Sequence, residues 1–300
     1  MDRSHVPTQL DISLADKNVQ KLVDEANKKS LVLPDFQRDF VWPTRQVGKL
    51  LESLLNGYYI NTLLTLPVTR GQNNEVPFPA RTIEGVSNQR EPGAQMDMIL
   101  DGQQRVTSIY YALTAPTDIP LANTKYPQLY CLRFGKAIEG QFDDDAVLWR
   151  RRDWSTSQRL IDNDFEMQVD KGLIPFTAFK NKQSFRDWRR GMAGHVEENE
   201  VELGSLDDGR TLSRKDIDRV EDMTEVLRNY DVPVIQMTSG TEPAKVVQTF
   251  ERINTQGLEL GIFDILTARL WPDKVNLRDL WDDAVEEHGQ LEEYVGEVGV

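Results

Sequence analysis

The sequence predicts an α+β fold with a helical C-terminal part. Three observations carry this reading: short apolar runs bounded by Pro, Gly and Asn punctuate the first two thirds, amphipathic helical spacing alternates with them, and helical spacing dominates after residue 242. The chain has 300 residues, 39% of them hydrophobic, which is enough to bury a sizeable core in one large domain or two smaller ones.

In chain order, Val19, Leu22, Val23 and Ala26 fall at i, i+3, i+4 and i+7 and predict a helix over about 16–29. A short strand follows in SLVLP, then a polar-aromatic turn, DFQRDFVW. Pro43 suits a helix start, Val47, Leu50, Leu51, Leu54 and Leu55 share one face, and Asn56-Gly57 stops the helix. TLLTLPV (62–68) reads as a buried strand, and the polar stretch 69–95 as a loop or mobile insertion. MDMIL is a strand that runs into DGQQR, after which Val106, Ile109, Tyr110 and Leu113 again space as a helix face. QLYCLRF and AVLWR read as antiparallel strands about a Gly/Asp-rich turn. Residues 155–230 mix short helices with an exposed EENEVELGSLDDG stretch. YDVPVIQM is a strand, Glu242-Pro243 opens a helix that breaks at NTQG, and IFDILTARLW (262–271) is a further helix.

No apolar run approaches the ~18–20 residues that a membrane-spanning helix needs, so no membrane partner is expected. The first residues lack the apolar centre of a secretory signal, and the lone cysteine, Cys131, excludes an internal disulfide framework; both favour a cytoplasmic location. A net charge of −14 argues against broad affinity for nucleic acid. The charge is uneven: residues 273–300 carry half of the excess, whereas 149–152 (Trp-Arg-Arg-Arg) and 186–190 (Arg-Asp-Trp-Arg-Arg) are basic with interleaved aromatics. Those two clusters are either a local DNA surface or scattered surface arginines.

Three stretches place polar residues where chemistry can use them. In MILDGQQRVTSIYYAL (98–113), Gly102 permits a tight turn between strand and helix, and the helix N-terminus welcomes an anion. Arg105 offers a planar fork for phosphate oxygens, Asp101 can hold Mg2+ or orient water, and Gln103 and Gln104 can donate or accept. The alternative is that Asp101 caps the helix and Arg105 is paired on the surface. In the second stretch, Gln37 and Arg38 are polar in a segment that otherwise looks buried, so Arg38 needs either a ligand or an acid such as Asp39. In the third, FERINTQGLEL, Val246, Val247, Phe250 and Ile253 share a helix side with Asn254, and Arg252 lies opposite. Asn254 and Gly257 serve a ligand there or simply end the helix. The three histidines are far apart, no phosphate-binding GxxxxGK[ST] loop exists, and nothing marks a nucleophile elbow.

In their order, LPDFQRDFVWP, GYYINTLLTLPV, MILDGQQRVTSIYYAL, IPFTAF, VPVIQM and FERINTQGLELGIFDILTARLW resemble the N-terminal domain of the GmrSD restriction family from about residue 10 to 271. The resemblance implies a core similar to the ParB and sulfiredoxin fold over 1–240, with a helical extension over 241–300. In that fold a Gly-x-x-Arg turn, here Gly102 to Arg105, holds nucleotide phosphates. It further implies a nucleoside triphosphate ligand with Mg2+, hydrolysed in the service of antiviral DNA restriction. By position Arg38 and Arg105 would meet phosphates, Asp101 would serve metal or water, and Gln37, Gln103 and Gln104 would orient the γ-phosphate or water. Arg252, Asn254 and Gly257 match the later motif. On this assignment Asp101→Ala and Arg105→Ala lose turnover while the fold survives. Family members commonly continue into an HNH-type nuclease; His288 is the single histidine after 195, so cleavage would come from a partner or a further C-terminal region. A non-catalytic switch that senses nucleotide or modified DNA and recruits a partner is the alternative.

Overall fold

A strand buried on both faces shows consecutive apolar residues, and the second half of β5 (Gln95–Asp101), Met98-Ile99-Leu100, is such a run. Met96, Met98 and Leu100 face one side of the sheet and Ile99 the other, all of them buried. The computed structural model describes residues 12–70, 78–86, 93–152, 164–204, 209–254, 266, 270, 275 and 277–288. Its larger sheet has the order β1 (Ile12–Asn18), β9 (Asp231–Met237), β3 (Leu63–Thr69), β5, β2 (Leu31–Pro34) and β4 (Ala80–Arg81). The pairs β9–β3 and β5–β2 are parallel and the others antiparallel. A smaller antiparallel sheet has β6 (Gln128–Arg133) between β7 (Val147–Arg151) and β8 (Leu173–Pro175). The mixture of the two sheets with packed helices is an α+β fold.

One face of the larger sheet is covered by α1 (Val19–Asn27), α2 (Thr44–Leu55) and α3 (Gln103–Thr114). Their apolar stripes are Val19, Leu22, Val23 and Ala26, then Val47, Leu51, Leu54 and Leu55, then Val106, Ile109 and Leu113. The same core continues under the smaller sheet through Tyr130, Leu132 and Ile174. There it meets α4 (Phe134–Glu139), α6 (Lys182–Glu198), α7 (Arg214–Met223) and α8 (Glu225–Asn229), while α5 (Phe165–Lys171) lies beside α6. The opposite face of the larger sheet buries Val32, Leu64, Leu66, Met98 and Leu100 against Phe36, Phe78 and helix α9 (Pro243–Asn254). Phe36 stands edge-on to Phe78 and Phe250, with ring centroids 5.0 and 5.1 Å away. Thus α9, which the sequence assigns to an extension, packs on the sheet itself; α10 (Leu277–Glu287) follows.

The structure departs from expectation at four places. Residues 16–18 belong to β1, and helix α1 starts at Val19 because the Asn18 side chain accepts the Gln20 N–H at 2.9 Å. Within 69–95, Ala80–Arg81 pair with β2 and Phe78, Ile83 and Val86 are buried; 71–77 and 87–92 lie outside the described residues. The connection from β6 to β7 contains α4 as well as a turn. In EENEVELG, Val201 and Leu203 are buried. Most of the expected helix 262–271 lies outside the described residues. Among the described residues no helix is long and apolar enough to cross a membrane.

Glu52 ties α2 to the smaller sheet: its Oε1 accepts the Val147 N–H at 3.1 Å while the residue is 6% exposed. Burial pushes its carboxyl up to about 7, against the Val147 and Ala146 amides, which lower it; Asp144 and Asp143 add to the rise. Between the ordinary carboxyl value and about 7, the folded chain keeps a proton that the unfolded chain has released. Stability therefore falls as pH rises through that window and stays lower above it. Glu52→Gln, whose amide oxygen can still accept from Val147, should stabilise the fold by about 1–3 kcal/mol at pH 8 and by little at pH 4. Urea midpoints at the two pH values check this; an equal gain at both would sink the account.

Candidate functional site

Where β5 ends and α3 begins, the chain turns through Gly102 with φ +95° and ψ 10°. The backbone angle favours glycine, and a Cβ there would stand 2.3 Å from Leu63 Cδ2, so that methyl would have to move. Gly102 thus occupies the cap position, and Asp101 remains in β5, paired with Leu64, rather than capping the helix. The first helical bond runs from Val106 N–H to the Gly102 carbonyl at 3.0 Å, which leaves the amides of 103–105 ahead of it at the helix N-terminus.

This corner opens on a cleft of about 850 Å³. Gln37, Arg38, Asp101, Gly102, Gln103, Gln104 and Arg105 all line it, so two of the three stretches singled out in the sequence converge there. The third reaches it through Phe250 of α9. Arg252 is exposed, as its place opposite the apolar stripe requires; the side chain of Asn254 and all of Gly257 lie outside the described residues. Sequence reasoning missed Gln46, Lys49 and Ser53, which line the cleft from α2, and Tyr59 and Asn61 from the segment before β3. The polar stripe of α2, at i, i+3 and i+7, was visible, but a solvated helix face looks the same.

The two arginines of the cleft are in different circumstances. Arg105, with its side chain 10% exposed, donates to the carbonyls of Ile60 (2.8 Å) and Thr62 (3.2 Å) and pairs with Asp101 at 2.9 Å. Its fork joins the corner to the segment entering β3, and the expected surface pairing is a buried one. Arg38 is half-buried, and among the described residues no carboxylate stands within ion-pair distance of it. Asp39, the adjacent acid, pairs with Arg81 at 3.2 Å instead. Lys49 is a second cleft cation, 3.7 Å from the exposed Asp144.

Both glutamines of DGQQR serve the segment that carries Arg38. Gln103 Nε2 donates to the Arg38 carbonyl at 2.6 Å. Gln104 accepts the N–H groups of Val41 (2.9 Å) and Trp42 (3.3 Å) and donates to the Asp39 carbonyl (3.1 Å). Gln37 reaches back to the carbonyls of Ile99 (2.6 Å) and Leu100 (3.1 Å) in β5. These bonds join the FQR and DGQQR segments, some 65 residues apart, into one rigid unit. With Arg38 facing an 850 Å³ space, the arrangement can hold an anion at a helix N-terminus.

The basic clusters differ from one another as well. Arg150 and Arg151 are exposed on β7, and the Arg151 guanidinium stacks 3.3 Å from the Tyr126 ring centroid. In 186–190, Trp188 is buried and donates to Gln168 at 2.8 Å, while Arg189 pairs with Asp218 and Glu221, each at 2.6 Å. The aromatic of that cluster is therefore core, and one of its arginines is engaged by acids.

Residues 19–271 match the family described as GmrSD restriction endonuclease, N-terminal domain. An uncharacterized protein of Methanocaldococcus jannaschii is 29% identical over 300 residues, which cover 96% of this chain and 47% of that protein. The chain thus spans about half the length of the curated relative it matches.

Proposed function

Because the chain belongs to the GmrSD restriction endonuclease N-terminal domain family, we propose that its cleft holds the phosphates of a nucleoside triphosphate, and that binding or hydrolysis gates DNA cleavage by a nuclease unit outside these residues. The setting is cytoplasmic defence by modification-dependent restriction. On this reading 1–240 form a ParB/sulfiredoxin-like nucleotide-binding body, and 241–300 a helical part whose first helix, α9, is packed on the sheet of that body. The carrying observation is that Arg38, a cation with no carboxylate partner among the described residues, lines one cleft with the α3 N-terminus.

Arg38 takes the role of principal phosphate ligand, and Lys49 that of a second. Charge that develops on a transferred phosphoryl group would be met by Arg38. Arg105 acts one step removed, by fixing Asp101. Among the described residues Asp101 is the one carboxylate lining the cleft, and no group of three or more His, Cys, Asp or Glu converges. That donor set fits Mg2+ held mainly by phosphate oxygens and water, with Asp101 as its protein ligand. When bound, the ion would neutralise phosphate charge. DNA contact, if this chain makes it, falls to Arg150 and Arg151 rather than to 186–190.

A second reading, a switch that binds nucleotide without turning it over, draws on the Asp101–Arg105 pair: a carboxylate whose Oδ2 is already held by a guanidinium has less room to take hold of a water. Calorimetric titration with each of the four ribonucleoside triphosphates in Mg2+, run beside a phosphate-release assay, separates the two. Saturable binding with release is the expected result. Binding without release selects the switch, and no binding by any of the four overturns both.

A further inference from the structure

The segment that carries Arg38 is held from two sides, and the second side comes from a stretch with no motif at all. On one side stand the glutamines of α3. On the other, Arg81 of β4 donates through Nη2 to the carbonyls of Gln37 (2.8 Å) and Arg38 (2.7 Å), and its Nη1 lies 3.2 Å from the Asp39 carboxylate. Glu84, three residues on, accepts the Phe40 N–H at 2.7 Å and the Ala122 N–H at 2.9 Å. The Asp35 N–H donates to the Pro79 carbonyl at 3.0 Å, and Asn123 Nδ2 donates to the Trp42 carbonyl at 2.7 Å. Side chains therefore satisfy the backbone on both sides of residue 38, where no regular strand or helix exists to do so.

The fork of Arg81 spans two successive carbonyls and a carboxylate, which sets the peptide planes flanking Arg38. It also occupies Asp39, the adjacent acid that would otherwise compete for the Arg38 guanidinium. We infer that Arg81 is a positioning residue for the cleft: it orders the peptide of Arg38 and withholds Asp39 from it, with Glu84 bracing the same turn. Arg81 does not line the cleft, so its effect on a ligand passes through Arg38. The inference rests on the nucleotide reading of the cleft. A lysine at 81 keeps the charge but, as a point donor, cannot hold two carbonyls and a carboxylate together.

The test is a double-mutant cycle read by affinity for inorganic tripolyphosphate and for the best-binding ribonucleoside triphosphate. Arg81→Lys is expected to weaken both by roughly tenfold, the scale of a modest misplacement of a binding group. In an Arg38→Ala background the same change should produce no further loss, because the residue through which it acts is gone. A structural defect would instead lower binding by the same factor in both backgrounds. Glu84→Gln, which keeps one acceptor oxygen, serves where Arg81→Lys folds poorly, with the same pattern expected. Wild-type affinity in Arg81→Lys, or equal losses with and without Arg38, overturns the positioning role and leaves the nucleotide reading standing. Failure of the wild-type chain to bind either probe overturns the nucleotide reading, and this inference with it.

Discussion

Arg38→Ala is expected to weaken nucleoside triphosphate binding by roughly 10- to 100-fold, the loss that follows removal of one or two charge-assisted hydrogen bonds to phosphate. The melting temperature should stay within about 2 °C of the wild-type value, as for a substitution that breaks no buried network. The folded chain gives the Arg38 guanidinium no carboxylate among the described residues, so its removal strands no acid. The backbone of residue 38 is what the neighbours hold, through its carbonyl, and alanine retains that carbonyl. Titration calorimetry and a thermal melt on the same sample decide the matter. Unchanged affinity would move the phosphate site away from the FQR segment.

Arg105→Ala should behave in the opposite way. Its guanidinium is buried and serves the carbonyls of Ile60 and Thr62 and the carboxylate of Asp101. Truncation leaves two acceptors without a donor and a half-buried carboxylate without its counter-charge. A fully buried pair would cost ~3–5 kcal/mol; Asp101 can recover some hydration, so about 2–4 kcal/mol is expected here. Urea unfolding measures this directly. The double variant Asp101→Asn with Arg105→Ala should lose less than the sum of the two, since the stranded charge is gone. Lost activity in Arg105→Ala would then report a loosened corner. A stable Arg105→Ala chain with abolished binding would restore Arg105 as the phosphate ligand that the sequence motif suggests.

The contrast between the two arginines explains how far the sequence could be read. The strands and helices around the cleft were legible because each combines a periodic apolar pattern with a stop: Pro43 and Asn56-Gly57 bracket α2, and Gly102 separates β5 from α3. That DGQQR and FQR come together at one cleft followed from the family resemblance; the polar residues set among apolar runs marked each stretch only singly. Which guanidinium is left open to the cleft was not legible, because burial and partner choice depend on residues more than 40 positions away. Strand β1 was hidden for a different reason. It is an edge strand with Ile12 and Leu14 exposed, so its apolar residues have no alternation with buried ones, and its last residues merge into the pattern of α1. β4 is two residues long in a Gly-, Pro- and Asn-rich stretch, and nothing about an arginine in such a stretch announces what it holds.

The stitching of residues 35–42 also bears on the order of events during folding. Their partners come from 79–84, 99–100, 103–104 and 123, segments that must each be delivered by a different part of the chain. Loops of 40 to 80 residues have to close before the last of these bonds can form, and closure over such separations is slow. A nascent chain released as far as α2 carries the whole FQR segment yet has nothing with which to shape it. The stitching around Arg38 therefore cannot be completed before residue 123 is made, nor the cleft lining before Ile235 and Phe250 are, so a chain shorter than that lacks the cleft.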